Sequence, residues 1–151
     1  MSSKKNNINT KNKYFMNLAL KQAARSLGNT GTNPPVGSVI TDKKGNLISF
    51  GRTGSKGKPH AEFDAIKNSQ KKLINCNMFV TLEPCTHHAR TPPCTNLIIK
   101  NKIKKVYYSI DDVDIRTAKK GKKILANARV IVNAGINKKI IRKFYYFYYK
   151  N

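Results

Sequence analysis

The chain has 151 residues, of which 39% are hydrophobic, and this length allows one domain with an apolar core of its own. Its composition excludes a collagen, a coiled coil and a disordered linker protein. Thirty Lys and Arg residues face seven Asp and Glu residues, which gives a formal net charge of +23.

This charge has two interpretations. A field of that sign attracts phosphates, nucleic acid and anionic surfaces. However, the Lys residues are scattered as short pairs such as Lys43-Lys44 and Lys104-Lys105, and they accompany many Asn, Ile and Tyr residues. That pattern is typical of an AT-rich coding sequence, so we favour compositional drift over a dedicated nucleic-acid surface.

The N-terminal part predicts a tail followed by a helix. Residues 1–9 are polar and without periodicity, which predicts a disordered basic tail, so that the folded domain covers residues 10–151. Apolar residues at helical spacing between Tyr14 and Leu27 predict an amphipathic helix that ends near Gly28. Charged residues interrupt this stretch, which argues against a signal peptide or a membrane span and predicts a cytoplasmic protein.

The remaining chain alternates between strand and helix patterns. Short apolar runs bounded by turn residues predict strands at 36–40, 47–50, 78–82, 106–110 and 130–133. Helical patterns begin near residue 61, end near residue 100, cover 118–126 and start again near 137. The aromatic run 144–149 could equally be extended. A hairpin followed by this alternation predicts an α/β domain with a mixed sheet between helices.

Four residues carry the chemistry. His60, Cys85 and Cys94 are one imidazole and two thiols, a ligand set for zinc with a fourth position open to water. Such a zinc supplies hydroxide at neutral pH, and Glu62 is the predicted general acid/base. His-x-Glu followed by Pro-Cys and a second Cys is the signature of zinc base deaminases. The alternative is a closed zinc site that serves stability alone.

Two local predictions accompany this motif. We expect His60 and Cys85 to lie at helix N-termini, where the helix dipole stabilises negative charge. Cys76 has no motif around it and is expected to pack in the core. Three cysteines are an odd number, which argues against a disulfide framework.

The spacing of the thiols adds a resemblance. Eight residues separate them, and residues 81–94 (TLEPCTHHARTPPC) closely resemble the deaminase domain of the bifunctional riboflavin-biosynthesis deaminase/reductase family. Residues 33–37 (NPPVG) resemble the turn before the first strand of that family. Residues 112–121 (DVDIRTAKKG) resemble its Asp-Pro-Asp/Asn-Pro segment and the Gly-Lys-Gly that follows. The resemblance runs from about residue 14 to residue 136.

The resemblance implies a fold, a reaction and a binding site. The fold is a cytidine-deaminase-like three-layer α/β/α sandwich with a five-stranded mixed sheet. The implied enzyme is a zinc-dependent hydrolase with one Zn²⁺ per chain. It would convert 2,5-diamino-6-(5-phosphoribosylamino)pyrimidin-4-one to 5-amino-6-(5-phosphoribosylamino)uracil and ammonia, with Glu62 protonating a ring nitrogen and then the leaving amine. The substrate-binding residues implied by position are Asn33, His87, Arg90, Asp112 and Asp114.

Four positions depart from the pattern of this family. Ala89 and Lys119 stand where the family has Gly, and Val113 and Ile115 replace two prolines. These changes should strain or loosen the backbone of two loops. Since the metal ligands and Glu62 are intact, we expect a loss of stability before a loss of chemistry.

The length raises the question of partners. About fifteen residues follow Ile136, too few for a reductase domain, so we expect a monofunctional deaminase with a separate reductase chain as a partner. The aromatic tail 144–149 then packs on the domain or forms a docking patch, and we expect a homo-oligomer. Two alternatives remain open, namely a nucleic-acid base deaminase and a non-catalytic RNA-binding zinc protein.

Overall fold

The computed structural model describes residues 2–87, 91–114 and 118–150. In chain order the elements are α1 (Ser2–Arg25), β1 (Gly37–Thr41), β2 (Leu47–Arg52), α2 (Ala61–Ser69), β3 (Asn77–Leu82), α3 (Cys94–Lys100), β4 (Lys105–Ile110), α4 (Lys120–Asn127), β5 (Ile131–Ala134) and α5 (Lys138–Lys150). A short 3₁₀ turn at Ser55–Gly57 lies between β2 and α2.

The five strands form one mixed sheet in the order β2-β1-β3-β4-β5. The strand β1 runs antiparallel to both of its neighbours, whereas β3, β4 and β5 are parallel. The carboxyl ends of β3 and β4 therefore lie at the same edge of the sheet, which is where ligands bind in sheets of this kind.

Alternating side chains of the central strands build two cores. Ile40, Met78 and Val106 lie in the core that α2, α3 and α4 cover. Their neighbours Val39, Phe79 and Tyr107 lie in the opposite core, which α1 and α5 cover. The predicted α/β class and the three-layer α/β/α sandwich with a five-stranded mixed sheet are therefore confirmed.

Two glycines allow the helices to lie close to the sheet. A Cβ atom on Gly37 would lie 1.8 Å from the carbonyl oxygen of Ala19 in α1. A Cβ atom on Gly51 would lie 2.1 Å from the carbonyl oxygen of Ala61 in α2. Gly37 therefore sets the separation between the sheet and α1, and Gly51 sets the separation between the sheet and the first turn of α2, which follows His60 directly.

The N-terminal segment differs from its prediction. The sequence predicted a disordered tail over residues 1–9, but α1 begins at Ser2. Residues 2–11 are all exposed, and Phe15 is the first buried residue of this helix. Because this segment contains neither Pro nor Gly, it can extend the packed part of the helix without making core contacts of its own. The start of the folded domain near residue 10 remains a prediction.

The C-terminal aromatic run is helical. Residues 144–149 belong to α5, and Ile141 and Tyr145 are its buried residues. The structure therefore decides between the helical and extended alternatives that the sequence left open. In the described part of the chain, no helix combines the length and apolar character that crossing a membrane requires.

Candidate metal centre and active-site cavity

Three separate segments bring the predicted metal ligands together at the carboxyl edge of the sheet. His60 is the N-cap of α2, Cys85 lies in the loop that follows β3, and Cys94 is the first residue of α3. His60 lies at a helix N-terminus as predicted, whereas Cys85 does not itself begin a helix. Its sulfur nevertheless lies at the N-terminus of α3, because the backbone N–H of Cys94 donates to Sγ of Cys85 at 3.3 Å.

The distances between the ligand atoms fit a tetrahedral zinc ion. The Nδ1 atom of His60 lies 3.6 Å from Sγ of Cys85 and 3.5 Å from Sγ of Cys94. A zinc ion with ordinary Zn–N and Zn–S bonds at tetrahedral angles needs an N···S separation of about 3.6 Å. Among the described residues, these three form a group that can hold one metal ion. A tetrahedral zinc held by three such ligands keeps a fourth position for water or substrate.

The electrostatics of the thiols also suit a divalent cation. Hydrogen bonds from Cys94 and then from His60 lower the pKa of Cys85 to about 4, so that this sulfur is a ready thiolate ligand. The pKa of Cys94 is raised, because its thiol donates a hydrogen bond to the Cys85 sulfur and is also buried beside Glu62. A bound cation removes the penalty of placing a second thiolate there, and soft sulfur ligands favour zinc over magnesium or calcium.

Glu62 is a buried carboxyl group beside the metal site. It lies in the first turn of α2, two residues after His60, and its exposed fraction is 4%. Burial is the main reason that its pKa is raised to about 7, and the Cys85 sulfur adds to the effect. A carboxyl group that can exchange a proton near neutral pH is suited to general acid/base catalysis.

A cavity of about 370 Å³ opens beside the metal site. His60, Cys85 and Glu62 line one side of it. Four of the five predicted substrate-binding residues line it as well, namely Asn33, His87, Asp112 and Asp114. The fifth, Arg90, lies outside the described residues. The volume lies at the lower end of the range for small-molecule sites.

The structure adds a buried carboxylate that the sequence did not single out. Glu83 follows β3 directly, is 4% exposed and also lines the cavity. Its carboxylate accepts the backbone N–H groups of Asp112 at 3.1 Å, Lys119 at 2.9 Å and Lys122 at 3.4 Å. Glu83 thus anchors both ends of the loop that carries Asp112. Its place directly after a buried strand, within the matched segment, is the signal that could have identified it.

Two further cavity residues had weaker signals. Thr53 follows β2, and its Oγ1 accepts the N–H of Val36 at 2.9 Å. Tyr149 lines the cavity from α5, and burial together with the nearby Asp112 carboxylate raises its pKa to about 12. Sequence reasoning could not place Tyr149 at the site, because nothing in the aromatic run shows which of its rings meets the sheet edge.

Comparison with known proteins gives a consistent result. The family model of the cytidine and deoxycytidylate deaminase zinc-binding region matches residues 9–110. The chain is 41% identical over 124 residues to riboflavin biosynthesis protein RibD of Aquifex aeolicus, which covers 82% of this chain and 35% of that protein.

Solved structures agree with the sequence match. Acinetobacter baumannii RibD superposes with a TM-score of 0.84 at 38% identity, covering 89% of this chain and 38% of that chain. A Thermotoga maritima protein described as a diaminohydroxyphosphoribosylaminopyrimidine deaminase and 5-amino-6-(5-phosphoribosylamino)uracil reductase gives a TM-score of 0.84 at 36% identity, covering 89% of this chain and 39% of that chain. The chain spans about a third of the length of the curated relatives that it matches.

Proposed function

The chain belongs to the cytidine and deoxycytidylate deaminase family, a family of zinc-dependent hydrolytic deaminases, and we propose that its substrate is a phosphoribosylated diaminopyrimidine. The proposed reaction converts 2,5-diamino-6-(5-phosphoribosylamino)pyrimidin-4-one and water to 5-amino-6-(5-phosphoribosylamino)uracil and ammonia. The 2-amino group leaves, and an oxygen atom from water takes its place on C2.

One observation carries the hydrolytic part of this proposal. The buried carboxyl group of Glu62 lies beside the metal site, and it lines the same cavity as two of the metal ligands, His60 and Cys85. A zinc site that serves stability alone is closed by four protein ligands and has no use for a buried acid next to an open position. The substrate assignment rests on the relatives, since the Thermotoga maritima protein is described by this deaminase activity.

The roles of the residues follow from the geometry of the cavity. Zinc, when bound by His60, Cys85 and Cys94, supplies hydroxide at neutral pH. Glu62 takes one proton of the attacking water and passes it to a ring nitrogen. It then takes the remaining proton of the new C2 hydroxyl group and delivers it to the amine, which leaves as ammonia while C2 becomes a carbonyl. Its pKa of about 7 lets it hold and release that proton without a large cost in either direction.

The polar residues of the cavity can recognise the rest of the substrate. Asn33 offers an amide that can donate and accept, and Asp112 and Asp114 accept from ring or sugar hydroxyl and amino groups. His87 is exposed and lies in the loop that also contains Cys85. We assign Arg90 to the phosphate or the sugar hydroxyls, because a guanidinium group pairs with such oxygens through two donors.

The partners are proposed on the same basis. The Thermotoga maritima relative is described as both a deaminase and a reductase, so we propose that the product passes to a reductase. A homo-oligomer and a cytoplasmic location remain predictions, and light scattering on the purified chain measures the first of them.

A substrate panel tests the proposed reaction. The zinc-loaded protein is incubated with the phosphoribosylated diaminopyrimidinone, with cytidine, with deoxycytidylate and with a single-stranded oligonucleotide, and ammonia is measured. We expect ammonia from the first compound only, in equal amount to the new uracil product. Turnover of cytidine or deoxycytidylate but not of the diaminopyrimidinone would overturn the substrate assignment, and turnover of the oligonucleotide alone would identify a nucleic-acid base deaminase.

A further inference from the structure

We propose that Tyr148 of α5 is a positioning residue for substrate binding, and that it acts through the backbone of Asn33. The inference rests on the proposed function, because Asn33 is one of the residues assigned to the substrate. It gives the aromatic C-terminal run a role in the active site of its own chain.

A network of buried hydroxyl groups holds the helix α5 against the segment that precedes β1. Tyr145 is 2% exposed, and its hydroxyl donates to the carbonyl oxygen of Pro35 at 2.8 Å. The same hydroxyl shares a hydrogen bond of 2.8 Å with Oγ1 of Thr81 in β3, which accepts the N–H of Gly37 at 3.2 Å. The network connects α5, β3 and the segment that precedes β1. The part of α5 that carries Tyr148 is therefore held in place by hydrogen bonds.

One turn further along the same side of α5, Tyr148 reaches the neighbouring backbone. Its hydroxyl donates to the carbonyl oxygen of Asn33 at 2.8 Å. Oγ1 of Thr30 donates to the same oxygen at 2.6 Å, and the N–H of Asn33 donates to the carbonyl oxygen of Thr30 at 3.2 Å. Both lone pairs of the Asn33 carbonyl are therefore used, and its peptide plane is held from two sides.

The side chain of Asn33 is held from a third side. A Cβ atom on Gly57 would lie 2.0 Å from Nδ2 of Asn33, so the amide lies directly against the glycine backbone. Gly57 has a φ of +92°, a conformation that side chains rarely adopt. Asn33 is exposed and belongs to a loop, yet its carbonyl and its side chain are fixed in place beside the cavity.

This arrangement has a consequence for binding. An exposed loop residue that must be ordered by the substrate costs binding free energy, whereas a pre-organised one does not. Tyr149, the next residue of α5, forms part of the cavity wall itself. Two consecutive tyrosines thus serve the same cavity, Tyr148 by holding Asn33 and Tyr149 by lining the site.

A hydroxyl deletion with a matched control tests the proposal. Tyr148→Phe removes the oxygen and keeps the ring, and Tyr146→Phe makes the same change at an exposed position of α5 whose hydroxyl accepts from Lys150. We expect Tyr148→Phe to raise KM by about threefold to tenfold, with kcat within about twofold of wild type, because one positioning hydrogen bond is lost. Tyr146→Phe should leave both constants unchanged.

A double-mutant cycle separates positioning from general packing. If Tyr148 acts through Asn33, Tyr148→Phe should produce no further increase of KM in an Asn33→Ala background. An increase of KM that multiplies with that of Asn33→Ala overturns the proposal, and so does a Tyr148→Phe variant whose KM equals that of wild type.

Hydrogen exchange gives a readout that does not depend on turnover. The amide of Asn33 should exchange at least threefold faster in Tyr148→Phe than in wild type and in Tyr146→Phe. If the wild-type chain shows no turnover of the diaminopyrimidinone, the proposed function fails and the exchange comparison decides alone. Faster exchange in Tyr148→Phe then supports the proposal that Tyr148 holds the backbone of Asn33, and equal exchange overturns it.

Discussion

At the scale of single residues, the burial of the Glu62 carboxyl group costs free energy. A carboxyl group buried to 4% exposure loses most of its hydration, and its pKa of about 7 reflects that loss. Buried acids with a raised pKa are common at catalytic sites, and Glu62 lies beside the metal site. The His-x-Glu spacing predicted that Glu62 lies beside the metal site, because residues 60 and 62 both belong to the N-terminal end of the same helix.

The assigned metal ligands can be tested by comparing a substitution of one ligand cysteine with the same substitution of a cysteine that lies outside the metal site. Cys94→Ser should lose the zinc, with a decrease in affinity larger than the roughly 10–100-fold that follows loss of an outer partner. Cys76→Ser should keep one zinc per chain, because Cys76 lies in the core beneath α2 and α3. Metal content measured on both purified variants tests this prediction, and equal zinc in the two would contradict the assigned ligand set.

At the scale of elements, the sequence predicted the order of strands and helices, because its short apolar runs between turn residues coincide with the buried strands β1, β3 and β4. The helix that was expected at Cys85 begins instead at Cys94. Two consecutive prolines, Pro92 and Pro93, precede the helix that actually forms, and Pro93 is its N-cap. The contacts of Glu83 and Tyr148 join residues 29 to 115 positions apart, and no local pattern specifies such pairs.

The residue before α4 shows the cost of one departure from the family pattern. Lys119 has a φ of +63° and occupies the left-handed region, where the resemblance places a glycine. Lys119→Gly should stabilise the protein by about 0.5–1 kcal/mol, since it removes the strain of a side chain in that conformation. Lys123→Gly, within α4, should destabilise by a similar amount. Chemical denaturation of both variants measures the pair, and a destabilised Lys119→Gly would show that the position is not strained.

The packing of α2 on the sheet yields a second prediction at this scale. In Gly51→Ala the new methyl group would overlap the backbone of Ala61 and Ala65, so α2 must move away from β2. We expect a loss of about 1–3 kcal/mol in stability and a reduced zinc content, because His60 and Glu62 move with the helix. Gly28→Ala serves as the control, since its Cβ would meet no atom within 4 Å and only its φ of +80° is strained. A Gly51→Ala variant with normal stability and zinc would contradict the close approach.

At the scale of the whole molecule, the dominant feature is the net charge of +23. Composition predicted this field, but it could not predict where the charge acts, since Lys residues occur on α1, α2, α3, α4 and α5 and in several loops. The metal site opens into a cavity whose lining includes the acidic side chains of Asp112 and Asp114. Among the residues that the structure describes, no Lys or Arg lines this cavity, so their positive charge lies outside the catalytic centre.

Salt dependence distinguishes general attraction from recognition of nucleic acid. We expect RNA and DNA of any sequence to bind at low ionic strength and to be released near physiological salt, because released counterions account for such binding. Fluorescence anisotropy with two unrelated oligonucleotides over a salt series measures this. Tight binding of one sequence at physiological salt would instead support the nucleic-acid alternatives.

The most direct test of the central claim is ammonia release from the diaminopyrimidinone substrate by wild type and Glu62→Gln, with zinc determined on both proteins. We predict one zinc in each, turnover in wild type, and a decrease of at least about 10²-fold in the variant, because the proton shuttle is removed while the ligands stay. Zinc-loaded wild type without turnover, or a Glu62→Gln variant as active as wild type, would contradict a deaminase that works through Glu62.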